Sequence, residues 1–474
     1  MRSVLLIVIV TLLHSGLFAE SKKYNVLFII SDDLTATALS CYGSPICKTP
    51  NIDKLASEGM LYTEAYCQAT YCGPSRASFM SGYYPSATKV LGYVSGRKAI
   101  GNRATWSQYF MQNGYHSARV SKIFHMPVPR GIELGTDGSD DAASWNEKYN
   151  SQGPEWKAKG VGETLEGNPD GKKPVVGGNT FVWVKADGDD LVHSDGKTAK
   201  KAAELLKKYS KMDKPFFLGV GFVRPHVPFV APTSYYKDYD FDKMPLPEKK
   251  PGDWDDIPKA GINYKTSVNM KMDITKQKKA VGSYFASVAY MDAMVGQVTK
   301  ALEDNGLKDN TIVIFTSDHG YHLGEHDFWA KVSLLEESVK VPLIISVPGK
   351  KPGICHSLAE LIDLYPTTAK LCGLEIPSRI QGKDLSPTLD DPNVEVKDHI
   401  LSANNKGILI STKKYAYIEY NKNRGAQLYD LVKDPQQFNN VVNNSDYAEV
   451  LSTMKKKLAD RLKDVRTNDL GLKY

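Results

Sequence analysis

Beyond its first twenty residues the chain lacks any apolar run of the roughly 20 residues that a membrane-spanning helix needs, so no later span is expected. It has no basic block, no low-complexity tract and no internal repeat, which leaves little room for a nucleic-acid-binding tail or a repeat architecture. Excess charge is also scarce: 60 Lys and Arg stand against 54 Asp and Glu, a net +6. Spread over 474 residues, that surplus is too weak to argue nucleic-acid binding, although it suits a polyanionic substrate. Cysteine is sparse, with Cys41, Cys47, Cys67, Cys72, Cys355 and Cys372. If one of them is set aside for chemistry, five remain, so at least one further thiol stays unpaired or buried.

What is present is ordinary for a folded, soluble protein. Hydrophobic residues make up 42% and charged residues 24%, and the length allows a large core in two structural units. The opening "MRSVLLIVIVTLLHSGLFAES" places Arg2 before an apolar run from Val4 to Leu13 and ends in small residues near Ala19. It reads as a secretory signal over residues 1–19, too short to span a bilayer. It contains no cysteine for lipid attachment. The mature protein is expected to be exported, periplasmic or secreted, where disulfides are permitted.

Strands and helices alternate. "YNVLFIISDD" is a continuous apolar strand ending in two carboxylates, the pattern of a strand buried on both faces. A helix over "TPNIDKLASEG", capped at Thr49 or Asn51, follows. "TWSQYFMQNGYHSARVSKIFH" reads as helix, glycine stop and strand. "DGKTAKKAAELLKKYS" is an amphipathic helix, and "KPFFLGVGFVRPH" a strand emptying into a loop. A long helix over "QKKAVGSYFASVAYMDAMVGQVTKALEDNG" precedes the buried strand "TIVIFTSDHG". The strand "VPLIISVPG" and a helix over "SLAELIDLYPTTAKLCG" come next. The alternation predicts an α/β fold around a large, mostly parallel sheet flanked by helices, in a unit spanning residues 20–375. From about Ile376 the texture changes. "GILISTKKYAYIEY" reads as a hairpin and "YAEVLSTMKKKLADRLKDV" as a final helix, so residues 376–474 are expected to form a smaller α+β subdomain with an antiparallel sheet. The polar, Gly-, Pro- and Trp-rich stretches from about Met126 to Leu191 and from Tyr235 to Met272 read as substrate-binding loops.

Chemistry-bearing residues recur in one place. Asp32-Asp33, Lys122 and His125, Arg224 and His226, and Asp318-His319 all fall at or just past strand C-termini, the edge where open α/β sheets bind ligands. "YCGPSRASFMSGYYP" adds a thiol, Cys72, at the start of a helix that ends at Ser81-Gly82. Standing alone, such a thiol packs, pairs, binds metal or reacts, and Asp32-Asp33 alone would be a cap or a solvated turn. "HGYHLGEH" offers His322 and His326 with Glu325 between them. The H-E-x-x-H order of a zinc helix is absent, however, and Gly324 weakens the helix, so a loop beside the strand is expected. Arg97, Lys98 and Arg103 form a basic group soon after the Cys72 helix, either a grip for a uronate or a second sulfate, or a solvated surface.

These motifs together resemble the formylglycine-dependent (type I) sulfatases. "CGPSRASFMSG" is similar to their C-x-P-S-R signature, "NVLFIISDDL" to the first metal-binding strand, "IFTSDHGYHLGEH" to the second, and "LIDLYPTTAKLCGL" and "LYDLVKDPQQFNNV" to their late hallmarks. Lys122-x-x-His125, "RPHVPF", "SYFASVAYMD" and "FWAKVS" resemble the iduronate-2-sulfatase-like branch. The resemblance covers nearly the whole mature chain and implies an alkaline-phosphatase-like fold.

It also implies that a maturation enzyme oxidises Cys72 to formylglycine, with Pro74 and Arg76 in its signal. The hydrated aldehyde carries two hydroxyls: one attacks sulfur and releases the alcohol, and the second then reforms the carbonyl and expels sulfate. Asp32, Asp33 and Asp318, with residue 72 and His319, would hold one divalent cation, and calcium suits the oxygen set. His319 stands where many sulfatases carry Asn, so direct ligation by its imidazole is open. Arg76, Lys122 and Lys331 would meet the sulfate oxygens. His226 is the first candidate acid for the leaving group and Lys331 the second, with His125 contacting the sulfate or the nucleophile and Arg224, Arg97 and Arg103 as substrate contacts. The substrate expected is a sulfated carbohydrate, such as a 2-O-sulfated uronic acid at a chain end. Alternatives are a phosphonate or phosphodiester, a small choline-type sulfate, or a non-catalytic glycan-binding relative.

Overall fold

A computed structural model of the protein describes residues 23–167 and 180–474; the signal segment 1–19 lies outside them. The centre is an eight-stranded sheet. In chain order its strands are β1 (Asn25–Asp32), β2 (Met60–Tyr62), β3 (His116–Ser121), β4 (Glu147–Tyr149), β5 (Phe216–Pro225), β6 (Thr311–Ser317), β7 (Leu343–Ser346) and β8 (Gly353–Cys355). In space they lie β8-β2-β7-β6-β1-β5-β3-β4. β1 is parallel to both of its neighbours, β5 and β6, and the row continues parallel through β3 to β4. Only β7 runs against the rest, pairing antiparallel with both β6 and β2. The expected mostly parallel sheet is therefore mixed by one strand.

Two helical layers cover the sheet, because β1 sends alternate side chains to opposite faces. Leu27 and Ile29 meet the face covered by α1 (Pro50–Ser57), α4 (Ser194–Tyr209) and α5 (Ile274–Asp304). Val26, Phe28 and Ile30 meet α2 (Cys72–Ser81), α3 (Trp106–Gln112) and α6 (Leu364–Leu371). α2 is buried along its entire length, and it stops where Gly82 turns left-handed at φ 77°. A side chain at position 82 would also strike Ile380. α6 is shorter than the sequence pattern predicts: Ala359–Glu360 form a short strand, and a single 3-10 turn precedes the helix proper.

The C-terminal part carries a four-stranded antiparallel sheet, β9 (Ile400–Ala403), β10 (Gly407–Ser411), β11 (Tyr415–Tyr420) and β12 (Ala426–Asp430), in sequential order. One face packs through Leu409 and Ile418 on Tyr66 and Phe328 of the larger unit. The other packs through Ile410, Tyr417 and Leu428 on α7 (Ala448–Arg466). The stretch read as loops contributes real structure: Gly160–Thr164 pairs antiparallel with Val182–Ala186, which pairs parallel with Phe229–Pro232, in a three-stranded sheet. All six cysteines are free thiols. No helix among the described residues is long and apolar enough to cross a membrane.

Candidate active site

The parallel strands deliver their C-terminal ends to one edge. There Asp32 ends β1 and Asp33 follows it, Lys122 stands just past β3, His226 just past β5 and Asp318 and His319 just past β6, while α2 brings Cys72 at its first residue and Arg76 one turn on. The helix start directs its unpaired N–H groups at the same place. Two side-chain groups with metal-binding geometry result, each holding its ligand atoms within 4.8 Å of one another: Asp32, Asp33, Cys72 and His226, and Cys72, Asp318 and His319. No other such group occurs among the described residues. His322 and His326 do not join one; Gly324 and His326 are left-handed and residues 325–327 form a turn.

Every member is buried. Cys72 Sγ lies 3.4 Å from His319 Nε2, 3.4 Å from Lys331 Nζ and 3.7 Å from Asp33 Oδ1. Arg76 spans two carboxylates, through Nε to Asp318 Oδ2 at 2.9 Å and through a terminal nitrogen to Asp32 Oδ1 at 3.1 Å. Its other terminal nitrogen donates to the carbonyls of Lys122 and Ile123. Lys122 pairs with the second oxygen of Asp32, and Lys331 donates to both oxygens of Asp33 at 2.6 and 2.7 Å. His319 Nε2 lies 3.1 Å from Asp33 Oδ1 and 3.7 Å from Asp318 Oδ1. His226 Nε2 is 3.7 Å from Asp33 Oδ2.

The electrostatics follow from burial against close opposite charge. Burial alone would raise Asp32, but Lys122, His226, Arg76 and Lys331 hold it well below the usual carboxylate range. Burial is likewise overcome at Asp33, which His226, Lys331 and His319 hold down. At Asp318 burial prevails over Arg76 and the carboxyl is raised. The Cys72 thiol is raised by burial and by Asp32, so an unmodified thiolate is disfavoured here. Burial pushes His226 down to about 3 despite Asp33, and burial with Lys122 pushes His125 to about 2.

The backbone aims these groups. Asp33, Ser121, Ala330 and Val332 all take left-handed φ, from 60° to 85°. A β-branched residue such as Val332 rarely adopts this conformation, and such strain concentrates at functional sites. Ala330 and Val332 flank Lys331; Val332 N–H donates to Thr70 O at 3.0 Å. His319 Nδ1 is bonded to Gly320 O at 2.8 Å and His226 Nδ1 to Val227 O, so each ring turns its Nε2 inward. Tyr284 was not singled out as a site residue, although it lies in "SYFASVAYMD". Its hydroxyl donates to Asp33 O at 2.8 Å and accepts from Thr35 N–H, fixing the turn after β1.

The three arginines expected at the substrate are engaged elsewhere. Arg97 is bonded to Asp141, Gln108 and two backbone carbonyls, and Arg103 to Asp469. Arg224 is buried; it pairs with Glu155 and donates to His226 O at 2.8 Å and to Pro228 O, so it braces the loop that carries His226. His125 does reach the site's rim, where its ring stacks on Tyr93.

The donor set fits one hard divalent cation: three carboxylates converge on residue 72, joined by an imidazole whose other nitrogen is anchored to a carbonyl. A sheet of this topology, with carboxylates at its C-terminal edge and a cysteine at a helix start, defines an alkaline-phosphatase-like hydrolase. Within that class, the sulfatase family profile matches residues 24–374, and a profile described as N-sulphoglucosamine sulphohydrolase, C-terminal, matches 324–464. Human iduronate 2-sulfatase is 34% identical over 399 residues, 75% of this chain and 70% of its own. Two solved structures share the fold. A protein in complex with its substrate D-glucosamine-2-N,6-O-disulfate has a TM-score of 0.73 at 20% identity, covering 96% of this chain and 100% of that one. A phosphonate monoester hydrolase from Silicibacter pomeroyi has a TM-score of 0.77 at 19% identity, covering 93% and 95%. The chain belongs to the sulfatase family, in its formylglycine-dependent type I class, and is a sulfuric ester hydrolase.

Proposed function

We propose that this is an exported sulfatase that removes sulfate from a carbohydrate, with Cys72 converted to formylglycine and one calcium ion held beside it. The observation that carries the reading is the convergence of Asp32, Asp33, Asp318 and His319 with Arg76, Lys122 and Lys331 on Cys72 Sγ. The sulfur marks where the oxygens of the hydrated aldehyde would stand. Similarity to iduronate 2-sulfatase supports a 2-O-sulfated uronate or a similar sugar.

The two cofactors supply a doubly hydroxylated carbon as nucleophile and a Lewis acid that lowers its pKa. Asp32, Asp33, Asp318 and the inward Nε2 of His319 would hold the ion. Arg76 fixes two of those carboxylates and orients residue 72. A sulfate ester has no proton to remove near neutral pH, so Lys122 and Lys331 meet its oxygens as fixed cations. His226 presents Nε2 to the leaving oxygen. It is neutral at rest; it would take up the proton that the attacking hydroxyl of residue 72 gives up and pass it to the departing sugar alkoxide, so that the alcohol leaves neutral. His125 stands at the rim beside the sulfate. The N-terminal sequence of protein from the native host tests export: cleavage after Ala19 is expected, and an intact leader contradicts it.

The functional test is sulfate release across sulfated oligosaccharides, with phosphodiesters and choline sulfate alongside. Release from the sugars is expected, together with its loss in folded Cys72→Ala. Turnover confined to phosphodiesters would move the protein to the other chemistry of this fold.

A further inference from the structure

The catalytic groups are sealed: Cys72 and Lys331 are each 1% exposed and His226 4%. Tyr93, beside them, is 49% exposed. One face of its ring lies on His125, with centroids 4.3 Å apart and planes inclined at 28°. Its edge meets Tyr71 at 5.8 Å. Its ring carbon Cδ1 comes against Gly73, the residue next to Cys72, which places the ring beside the reacting atoms and not on a remote surface. Leu91 and Val94 on the same segment are also exposed.

The segment is held there by design of its neighbours. Tyr71 donates to Leu91 O. Ser139 grips both halves of the stack, its N–H donating to His125 O at 2.7 Å and its hydroxyl to Tyr93 O at 3.3 Å. Gly73, the residue after the nucleophile, makes the approach possible: a Cβ there would stand 2.8 Å from Gly92 O and 3.0 Å from Tyr93 Cδ1. The glycine in "CGPSR" therefore has a packing role distinct from the cysteine's chemistry.

A pyranose ring has an apolar C–H face and a polar rim. A half-exposed aromatic face, backed by a second ring and adjoining a buried anion site, matches that pairing. We infer that Tyr93, supported by His125 and admitted by Gly73, is the specificity-determining platform on which the sulfated sugar ring lies. This rests on the carbohydrate reading above.

The test compares a 2-O-sulfated uronate disaccharide with an acyclic alkyl sulfate in wild type, Tyr93→Ala, Tyr93→Phe and Gly73→Ala, each checked by mass for equal conversion of residue 72. Losing one ring contact predicts that Tyr93→Ala lowers the sugar-to-acyclic ratio of kcat/KM about tenfold, mainly through KM. Tyr93→Phe restores the ratio, and Gly73→Ala lowers it by displacing the segment. Equal losses on both substrates, or an unchanged ratio, overturn the platform. If wild type cleaves the acyclic ester and no sulfated sugar, the carbohydrate reading itself fails, and the platform with it.

Discussion

At the residue scale, the site combines groups whose environments push them in opposite directions. Lys331 is held well above its ordinary range, because Asp33 and Cys72 outweigh the burial that would lower it, whereas His226 is held low. One stays a fixed cation and the other is free to carry a proton in and out. His226→Ala is therefore expected to lose about 10²- to 10⁴-fold in kcat on an alkyl sulfate, the usual range for general acid catalysis. The loss is expected to be much smaller on an aryl sulfate, whose leaving group needs no acid. Steady-state kinetics on the pair check this; equal losses would move the acid to Lys331. The meeting of Cys72, Asp32, Asp33 and Asp318 was legible because each sits in a short run whose position at a strand end or helix start is itself readable. Tyr93 was not: nothing local in "LGYVSG" says that its ring crosses to His125, more than thirty residues away. The partners of Arg97, Arg103 and Arg224 were hidden for the same reason. A charge in a loop gives no sign of the carboxylate it will meet, and Asp141, Asp469 and Glu155 come from distant segments.

At the scale of elements, the end of β5 shows how a loop is set. Asp195, in the first turn of α4, accepts from Val223 N–H and Arg224 N–H at 2.9 Å each, and Arg224 then holds the carbonyls of His226 and Pro228. Arg224→Lys keeps the charge and loses the fork. It is expected to reduce kcat on the order of tenfold to a hundredfold by misplacing His226, with calcium content unchanged by elemental analysis. The edge strand β4 is tied differently. Glu147 accepts from His116 and Tyr149 at 2.7 Å, from Tyr209, and from Lys208 at 3.0 Å. Burial opposes ionisation there, but Tyr209, Tyr149, His116 and Lys208 bring its pKa from 4.5 to about 2. The folded pKa is depressed, so the stabilisation is fully present above about pH 4.5 and is lost as pH falls toward 2. Glu147→Gln should be less stable than wild type at pH 7, and urea melts should show the two converging between pH 4.5 and 2.

At the scale of the molecule, the sheet's uniform direction is what gathers the site. With β1, β3, β5 and β6 parallel, their C-terminal residues must share an edge, so four separated segments become neighbours without any of them being long. This much followed from the alternation of apolar strands and amphipathic helices. The reversal of β7 did not, because "VPLIISVPG" has the same buried, apolar texture whichever way it runs. The sheet formed by Gly160–Thr164, Val182–Ala186 and Phe229–Pro232 was equally hidden, since its strands are short and drawn from stretches rich in turn formers. Binding of an ion among Asp32, Asp33, Asp318 and His319 would couple this edge to the whole fold. At a free calcium concentration 100-fold above Kd, the ion should add about 2.7 kcal/mol to stability. Chelation should lower Tm in calorimetry, with one equivalent of calcium restoring it; an unchanged Tm in demonstrably metal-free protein would contradict the ligand set.

In the proposed reaction residue 72 acts only after its thiol has become an aldehyde hydrate. Protein prepared with graded amounts of a formylglycine-generating enzyme, or taken from the native host, can be scored by the mass of the peptide containing position 72 and assayed for sulfate release from the same sample. Specific activity is expected to rise in proportion to the fraction of formylglycine and to extrapolate to zero for the unmodified thiol. Full activity in protein whose position 72 is entirely cysteine would contradict it.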